Sequence, residues 1–291
     1  MRIVSWNCCW QKKGFTGEKR NEILKLNPDI LIVQECKQDD WEKLNYSSEK
    51  GHWYGDGKES QGDPNKNLGI GILCNEKYSI DCSLFRGKDL SNMRYAVPYI
   101  IKKGNEEILT IFSVWTKKIE SYHVSILNSL EYFYEKINSP IVLVGDFNTG
   151  RQYGNKESGK FYEYIKKELK TKYLIENCAF WQEWLPTFHN KKNGNYDFYL
   201  NDHCFYEWRY NVLSFGMGSW LHWSKHSDHI PIIIDFDDDY FDKPERCQVF
   251  HYLIKSGQIK RSMEEFKKGF HLTDPILKYG DYTKAGEVVQ R

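Results

Sequence analysis

Apolar residues up to residue 236 fall in short runs, rich in Ile, Val, Leu and Phe, with amphipathic stretches between them. Runs of this length, bounded by polar or turn-forming residues, are typical of strands in a buried sheet. They predict strands at 2–6, 29–34, 68–73, 97–101, 108–114, 141–144, 196–200 and 230–236. Strands therefore dominate the predicted core.

Between these strands, apolar residues recur at intervals of three and four, which is the helical period. The pattern predicts helices at 18–26, 120–136 and 160–170. The strand runs are apolar on both faces, so neither face of a sheet built from them tolerates water. We therefore expect an α/β fold with two sheets packed face to face and helices outside.

The texture of the chain changes after Phe236, where a run of three aspartates opens a polar stretch. We predict a catalytic domain over 1–236 and a C-terminal helical extension over 237–291. Two helices are predicted in the extension, one at 245–255 after Pro244 and one that Ser262 caps and that runs to Lys268. No motif indicates its role, and a buttress on the core is the favoured interpretation.

Charge and composition narrow the class of protein. The chain has 41 Lys and Arg against 40 Asp and Glu, a formal net charge of +1, which argues against a protein that binds nucleic acid by bulk positive charge. Any basic surface must be local. Aromatic residues make up 16% of the chain and hydrophobic residues 40%, which excludes disorder and supports a sizeable core.

The sequence also predicts a cytoplasmic location. No apolar run approaches the roughly 18 residues of a membrane-spanning helix, and the first residues are typical of a strand, not of a signal peptide. The eight cysteines form no CxxC pair and no zinc-ligand spacing. We interpret them as reduced thiols of a cytoplasmic protein.

Several predicted strands end or begin at residues that bind hard cations or phosphate. If these strands are neighbours, their ends meet at one rim, where α/β folds place their ligands. The residues concerned follow or precede four of the apolar runs, as Asn7, Glu35, Asp146 with Asn148, and Asp228 with His229.

Carboxylates gathered at one rim repel one another and lose solvation, and a divalent cation offsets both effects. Oxygen ligands from Asp, Glu and Asn suit Mg²⁺ or Mn²⁺. The absence of paired Cys or His ligands argues against zinc. The sequence therefore predicts a Mg²⁺ or Mn²⁺ site.

Five segments in this order resemble the endonuclease/exonuclease/phosphatase superfamily, whose members include deoxyribonuclease I and exonuclease III. The resemblance covers about residues 1 to 236 and implies a four-layer α/β sandwich that hydrolyses phosphoesters with a metal ion. The segments are Ser5-Trp6-Asn7, Val33-Gln34-Glu35, Gly145-Asp146-Phe147-Asn148, Tyr196-Asp197-Phe198 and Ser227-Asp228-His229-Ile230-Pro231.

The resemblance implies a metal site made by Glu35, as principal carboxylate, with Asn7 beside it and Asp228 as a further ligand or aid. These oxygen donors agree with the preference of Mg²⁺ for hard ligands.

The resemblance also implies four catalytic residues. Asp146 would orient or deprotonate the attacking water, and Asn148 would steady that water or a phosphate oxygen. His229 would contact the scissile phosphate, with Asp197 on its other ring nitrogen. An Asp behind a His fixes its tautomer and favours the imidazolium, which suits binding to an anion.

Two substrate contacts are predicted as well. Trp115 stands where superfamily members carry a second His or a Tyr, and indole donates one hydrogen bond but transfers no proton. Its role as a second general acid is therefore not expected, and plain packing is the alternative. Arg94 precedes a strand at which the superfamily often places a basic substrate contact.

The leading functional hypothesis is a Mg²⁺- or Mn²⁺-dependent nuclease acting on DNA or RNA. The near-zero net charge favours an alternative, a phosphodiesterase or phosphatase of a small phosphorylated molecule such as a nucleotide or lipid head group. A non-catalytic binding protein of the same fold is the third hypothesis. Nucleic acid or a small phosphoester is the expected partner, without a membrane or an obligate protein partner.

Overall fold

The structure, a computed structural model, describes residues 1–55, 68–88, 90, 96–116, 122, 124–148, 186–192, 195–206, 212–237, 276–284 and 287–289. Its strands are β1 Arg2–Asn7, β2 Ile30–Lys37, β3 Gly51–Gly55, β4 Leu68–Cys74, β5 Ser79–Asp81, β6 Ala96–Lys103, β7 Glu106–Trp115, β8 Ile141–Asp146, β9 Phe188–Lys192, β10 Asn195–Tyr199, β11 Asp202–Tyr206, β12 Val212–Gly218, β13 Ile232–Phe236, β14 Ile276–Lys284 and β15 Glu287–Val289. Its helices are α1 Gly17–Leu24, α2 Gln38–Glu42, α3 Val124–Phe133 and α4 Trp220–Trp223, with a 3-10 turn at Tyr134–Lys136 after α3.

Within the described ranges the strands form two large mixed sheets and one hairpin. The first sheet has the order β15-β14-β12-β13-β1-β2-β4-β3, and the second has the order β11-β8-β7-β6-β5. In these sheets β1 runs parallel to β2, and β7 runs parallel to β8. Strands β9 and β10 pair as a separate hairpin.

The two sheets bury a shared hydrophobic core between them. Ile30 and Ile32 of β2 face this core, while Leu31 and Val33 face the opposite side of the sheet. This alternation is the two-residue period of a strand, and it gives the first sheet two buried faces. Helices α1 and α2 cover the outer face, where Trp41 is fully buried. The fold is therefore the predicted α/β sandwich.

Two of the three helices predicted before residue 236 are found, with changed limits. The helix expected at 18–26 is α1, and the one expected at 120–136 is α3 with its 3-10 turn, although residues 117–121 lie outside the described ranges. The helix expected at 160–170 also lies outside them. None of the six described cysteines forms a disulfide, and all six are buried.

The C-terminal extension contains two strands in the part that the structure describes. Strand β14 pairs with β12 and β15 pairs with β14, so the described residues beyond 275 join the edge of the first sheet. The two helices expected at 245–255 and 262–268 lie outside the described residues. Nowhere in the described ranges is a helix both long and apolar enough to cross a membrane.

Candidate active site

Strand direction brings the predicted site residues to one edge of the two sheets. Because β1 and β2 are parallel, Asn7 and Glu35 lie at the same end of the first sheet. Asp146 ends β8 in the second sheet. Strand β13 is antiparallel to β1, so His229, just before β13, lies at this same end. The facing sheets therefore bring chain segments together that are more than a hundred residues apart in sequence.

The side-chain amide of Asn7 connects two of the carboxylates. Its Nδ2 donates to Oε1 of Glu35 at 3.1 Å and to Oδ2 of Asp146 at 2.9 Å. Its Oδ1 accepts the main-chain N–H of Cys9 at 3.0 Å, which fixes the orientation of the amide. Asn7 is thus a buried donor between the two acids, and its oxygen retains one lone pair for another ligand.

A local irregularity aims the Glu35 side chain into the site. The pairing of β2 with β4 shifts register between Val33 and Cys36, and Glu35 has a positive φ of 55°. A bulge of this kind re-aims a side chain that regular pleating would point elsewhere. Oε2 of Glu35 accepts the N–H of Trp10 at 3.3 Å. Burial raises the pKa of Glu35 despite the hydrogen bond from Asn7.

Gly145 allows β8 to pack closely against β7 at the position just before Asp146. Gly145 has a φ of +143°, and a Cβ at this position would lie 1.9 Å from the carbonyl oxygen of Val114. Asn148 donates its N–H to Oδ1 of Asp146 at 2.8 Å and its Nδ2 to Oδ2 at 3.1 Å. Asn148 therefore holds the Asp146 carboxylate in place, and a third hydrogen bond ties its amide to the carbonyl of Thr116.

His229 lies between two aspartates. Its Nδ1 is 2.7 Å from Oδ2 of Asp202, and its Nε2 is 3.9 Å from Oδ2 of Asp146. The three side chains are buried, and their ligand atoms lie within 4.8 Å of one another. The main chain of His229 is fixed by its N–H to Oγ of Ser227.

The partner of His229 Nδ1 corrects the sequence analysis, which expected Asp197 there. Asp197 belongs to β10 of the separate hairpin, and its side chain lies outside the described residues. Asp202 begins β11, which runs antiparallel to β8 and pairs Asp202 with Asp146. The run His203–Tyr206, directly after Asp202, carried the same strand-end signal as the other sites but was not predicted as a strand.

The charges of the site are coupled. Burial raises the pKa of Asp146 to about 7, with Asp202 adding to the rise and His229 opposing it. Burial by itself lowers the pKa of His229, but Asp202 and Asp146 outweigh it and raise the pKa to about 10. Near pH 8 the histidine is therefore a cation and Asp146 mostly an anion.

The charge of Asp228 acts on Glu35 and on Cys9. Asp228 is partly buried and accepts a hydrogen bond from Oγ of Ser227 at 3.3 Å. Its charge contributes to the raised pKa of Glu35, after burial as the main cause. It also contributes to the raised pKa of Cys9, again after burial. Glu35 and Asp228 are therefore near enough to repel one another.

The two predicted substrate contacts differ in what the structure gives. Trp115 ends β7 directly opposite Asp146 and is 4% exposed, within the core between the sheets. Trp115 therefore lies beside Asp146 and packs in the core, and its contact with a substrate stays a prediction. Arg94 lies outside the described residues.

Comparison with known proteins decides the family. A profile described as the Endonuclease/Exonuclease/phosphatase family matches residues 4–229. The chain belongs to this family. A search of curated protein sequences finds no match. Members of the endonuclease/exonuclease/phosphatase family are hydrolases that act on phosphoester bonds and generally depend on a divalent metal.

Solved structures share the fold at low sequence identity. Zebrafish (D. rerio) TDP2, solved with a single-strand DNA product, is 14% identical with a TM-score of 0.54, covering 81% of this chain and 98% of that one. The endonuclease domain of the retrotransposon TRAS1 is 15% identical with a TM-score of 0.52, covering 80% and 97%. The human nocturnin catalytic domain is 16% identical with a TM-score of 0.51, covering 81% and 93%. At these identities the likeness shows the fold alone.

Proposed function

We propose that this protein is a Mg²⁺- or Mn²⁺-dependent phosphodiesterase that cleaves DNA or RNA, with Asp146 and His229 at the reacting atoms. The observation that carries the proposal is the position of His229, hydrogen-bonded to Asp202 on one side and facing Asp146 on the other. In-line hydrolysis needs a base for the water and a positive donor for the nonbridging oxygens. The two side chains supply these groups side by side.

The proton states of the two groups fit these roles. A carboxylate with a pKa of about 7 accepts a proton from water near neutral pH far better than an ordinary Asp. Asp202 holds His229 as an imidazolium, which donates from Nε2 to a phosphate oxygen. Asn148 orients the base through its two hydrogen bonds to Asp146.

The donors on the other side of the site fit a hard divalent cation. Burial raises the pKa of Glu35, and the charge of Asp228 adds to the rise, so a divalent cation held by these carboxylates would offset both effects. We assign the metal to Glu35 and Asp228 with the oxygen of Asn7, because a protonated His229 has no lone pair for a metal. The cation, when bound, neutralises charge that spreads over the phosphate during attack.

Nucleic acid is the first substrate class to test. The family includes nucleases, and zebrafish TDP2, which shares the fold, was solved with a single-strand DNA product. The net charge of +1 favours a small phosphoester instead, because a protein that follows a polynucleotide usually presents a basic face. Both substrate classes would use the same catalytic residues.

The test is hydrolysis of a substrate panel by the purified protein with Mg²⁺. The panel contains plasmid DNA, single-stranded DNA, RNA, nucleotides and a phosphorylated lipid head group, and His229→Gln serves as the inactive control. We expect cleavage of a polynucleotide that the control loses. Cleavage of only the small compounds would replace the nuclease by a small-molecule phosphodiesterase, and no hydrolysis of any substrate would contradict the proposal.

A further inference from the structure

A buried lysine lies behind the metal side of the site. Lys19 belongs to α1 and is only 3% exposed, although lysine is rarely buried without a partner of opposite charge. Its ammonium lies 5.9 Å from the centre of the Trp6 ring. Both hydrogen bonds of this ammonium in the described part of the chain go to main-chain carbonyls, not to a carboxylate.

The two carbonyls belong to the loop that follows Asn7. Lys19 Nζ donates to the oxygen of Cys8 and, at 3.2 Å, to the oxygen of Cys9. Cys9 has a φ of 48°, in the left-handed region that a side chain with a Cβ rarely adopts. A backbone conformation of this kind persists where neighbouring groups hold it, and the ammonium is such a group.

The same loop presents two N–H groups to the site. Cys9 donates its N–H to Oδ1 of Asn7 at 3.0 Å, and Trp10 donates its N–H to Oε2 of Glu35 at 3.3 Å. These bonds orient the side chains of the two residues to which we assign the metal. Lys19 therefore binds the carbonyl groups of the loop, and the N–H groups of the same loop bind the side-chain oxygens of Asn7 and Glu35.

We propose that Lys19 is a positioning residue that fixes the loop of Cys8, Cys9 and Trp10 and thereby orients the oxygens of Asn7 and Glu35 for a divalent cation. This inference rests on the proposed function. The role explains why a charged side chain is buried at this position. An apolar side chain would be more stable there if only packing were needed.

The positive charge of Lys19 and its hydrogen bonds to the loop have opposite effects on metal binding. Burial is the main cause of the lowered pKa of Lys19. The charge of Asp228 raises this pKa, and the charge of Lys12 lowers it further. A positive group this near the site repels a metal cation. Removing the charge alone would therefore strengthen metal binding, whereas loosening the loop would weaken it.

The experiment measures Mn²⁺ affinity by calorimetry and by electron paramagnetic resonance, without substrate. Lys19→Met is compared with the wild type and with Lys25→Met, which removes an exposed lysine from the end of the same helix. We expect Lys19→Met to weaken Mn²⁺ binding at least about tenfold, the scale on which residues behind metal ligands act, and Lys25→Met to leave it unchanged. Unchanged or tighter binding in Lys19→Met overturns the proposal.

A second measurement begins with the wild-type protein, so part of its outcome does not depend on how a variant folds. Hydrogen exchange followed by nuclear magnetic resonance reports the Cys9 and Trp10 amides individually. We expect both to be strongly protected before metal is added, and protection to fall in Lys19→Met while the amides of β1 keep theirs. Rapid exchange of these two amides in the wild type overturns the proposal. If the wild type binds no Mn²⁺, the proposed function fails, and exchange still tests the loop by itself.

Discussion

His229 and Asp202 form the shortest contact between charged side chains in the site, with 2.7 Å between Nδ1 and Oδ2. The other oxygen of Asp202, Oδ1, is buried and has no hydrogen-bond partner among the described residues. The carboxylate therefore depends on His229 for its hydrogen bond, and the histidine depends on the carboxylate for its positive charge and ring orientation. In the proposed function, this pair keeps a proton on Nε2 for donation to a substrate.

Asp202→Asn is expected to lower turnover by about 10² or more, the contribution that general acid–base groups usually make. The amide removes the charge that holds His229 as an imidazolium. Steady-state kinetics on the cleaved substrate measures this loss. Asp197→Asn is the matched comparison, and we expect a much smaller effect from it. A larger loss in Asp197→Asn than in Asp202→Asn would reverse our assignment.

The rate should depend on pH with a bell-shaped profile. Asp146 must be deprotonated to act as a base, so the rate rises as pH increases through its pKa of about 7. His229 must be protonated, so the rate falls as pH increases through its pKa of about 10. The pH dependence of kcat/KM reports both groups in the free enzyme. A profile that keeps rising above pH 11 would argue against an imidazolium.

Glu35→Gln is expected to raise the Mg²⁺ concentration needed for half-maximal activity. The amide keeps the shape of the side chain but removes the negative charge that a cation needs, and the shift should be at least about tenfold. Metal titrations of activity measure it. Glu42→Gln on α2, an exposed residue outside the site, serves as the control. An identical titration curve for both variants would exclude Glu35 as a ligand.

Gly145→Ala tests the close approach of β7 and β8. The new Cβ would overlap the carbonyl oxygen of Val114, and we expect a loss of about 3 kcal/mol or more in the free energy of unfolding. Gly104→Ala is the matched control, since Gly104 has a φ of +62° with open space around it, and should lose only about 1 kcal/mol. Urea unfolding measures the free energy of unfolding of both variants. Equal decreases would mean that β7 and β8 move apart to accept the new Cβ at little cost.

Much of the fold follows from sequence because its strands are strongly apolar. Strands such as β1, β2 and β8 are buried on both faces, so their runs stand out without knowledge of their neighbours. Strands β3 and β12 carry glycines and polar residues, and their pairing depends on β4 and β13. The C-terminal strands were missed for a similar reason, because a sheet edge is defined by the strand it joins.

The site residues that end apolar strands could be predicted from the sequence, and the others could not. Asn7, Glu35 and Asp146 end apolar runs, so the pattern locates them, and parallel pairing within a sheet explains why Asn7 and Glu35 meet. Asp202 was missed because its strand mixes His, Cys, Phe and Tyr, and because two Asp-containing segments compete for His229. Only the antiparallel register of β11 with β8 distinguishes them. Lys19 was missed because its partners are main-chain carbonyls, which no side-chain pattern reveals.

The central claim is that a divalent cation and the Asp146–His229 pair together hydrolyse a phosphodiester. The most direct measurement is the initial rate on a fluorescent single-stranded oligonucleotide as EDTA is added and then exceeded by Mg²⁺, for the wild type and His229→Gln. We predict that the wild-type rate disappears with chelation and returns with Mg²⁺, and that His229→Gln stays inactive throughout. A rate that persists in EDTA, or that survives the loss of His229, would contradict the account.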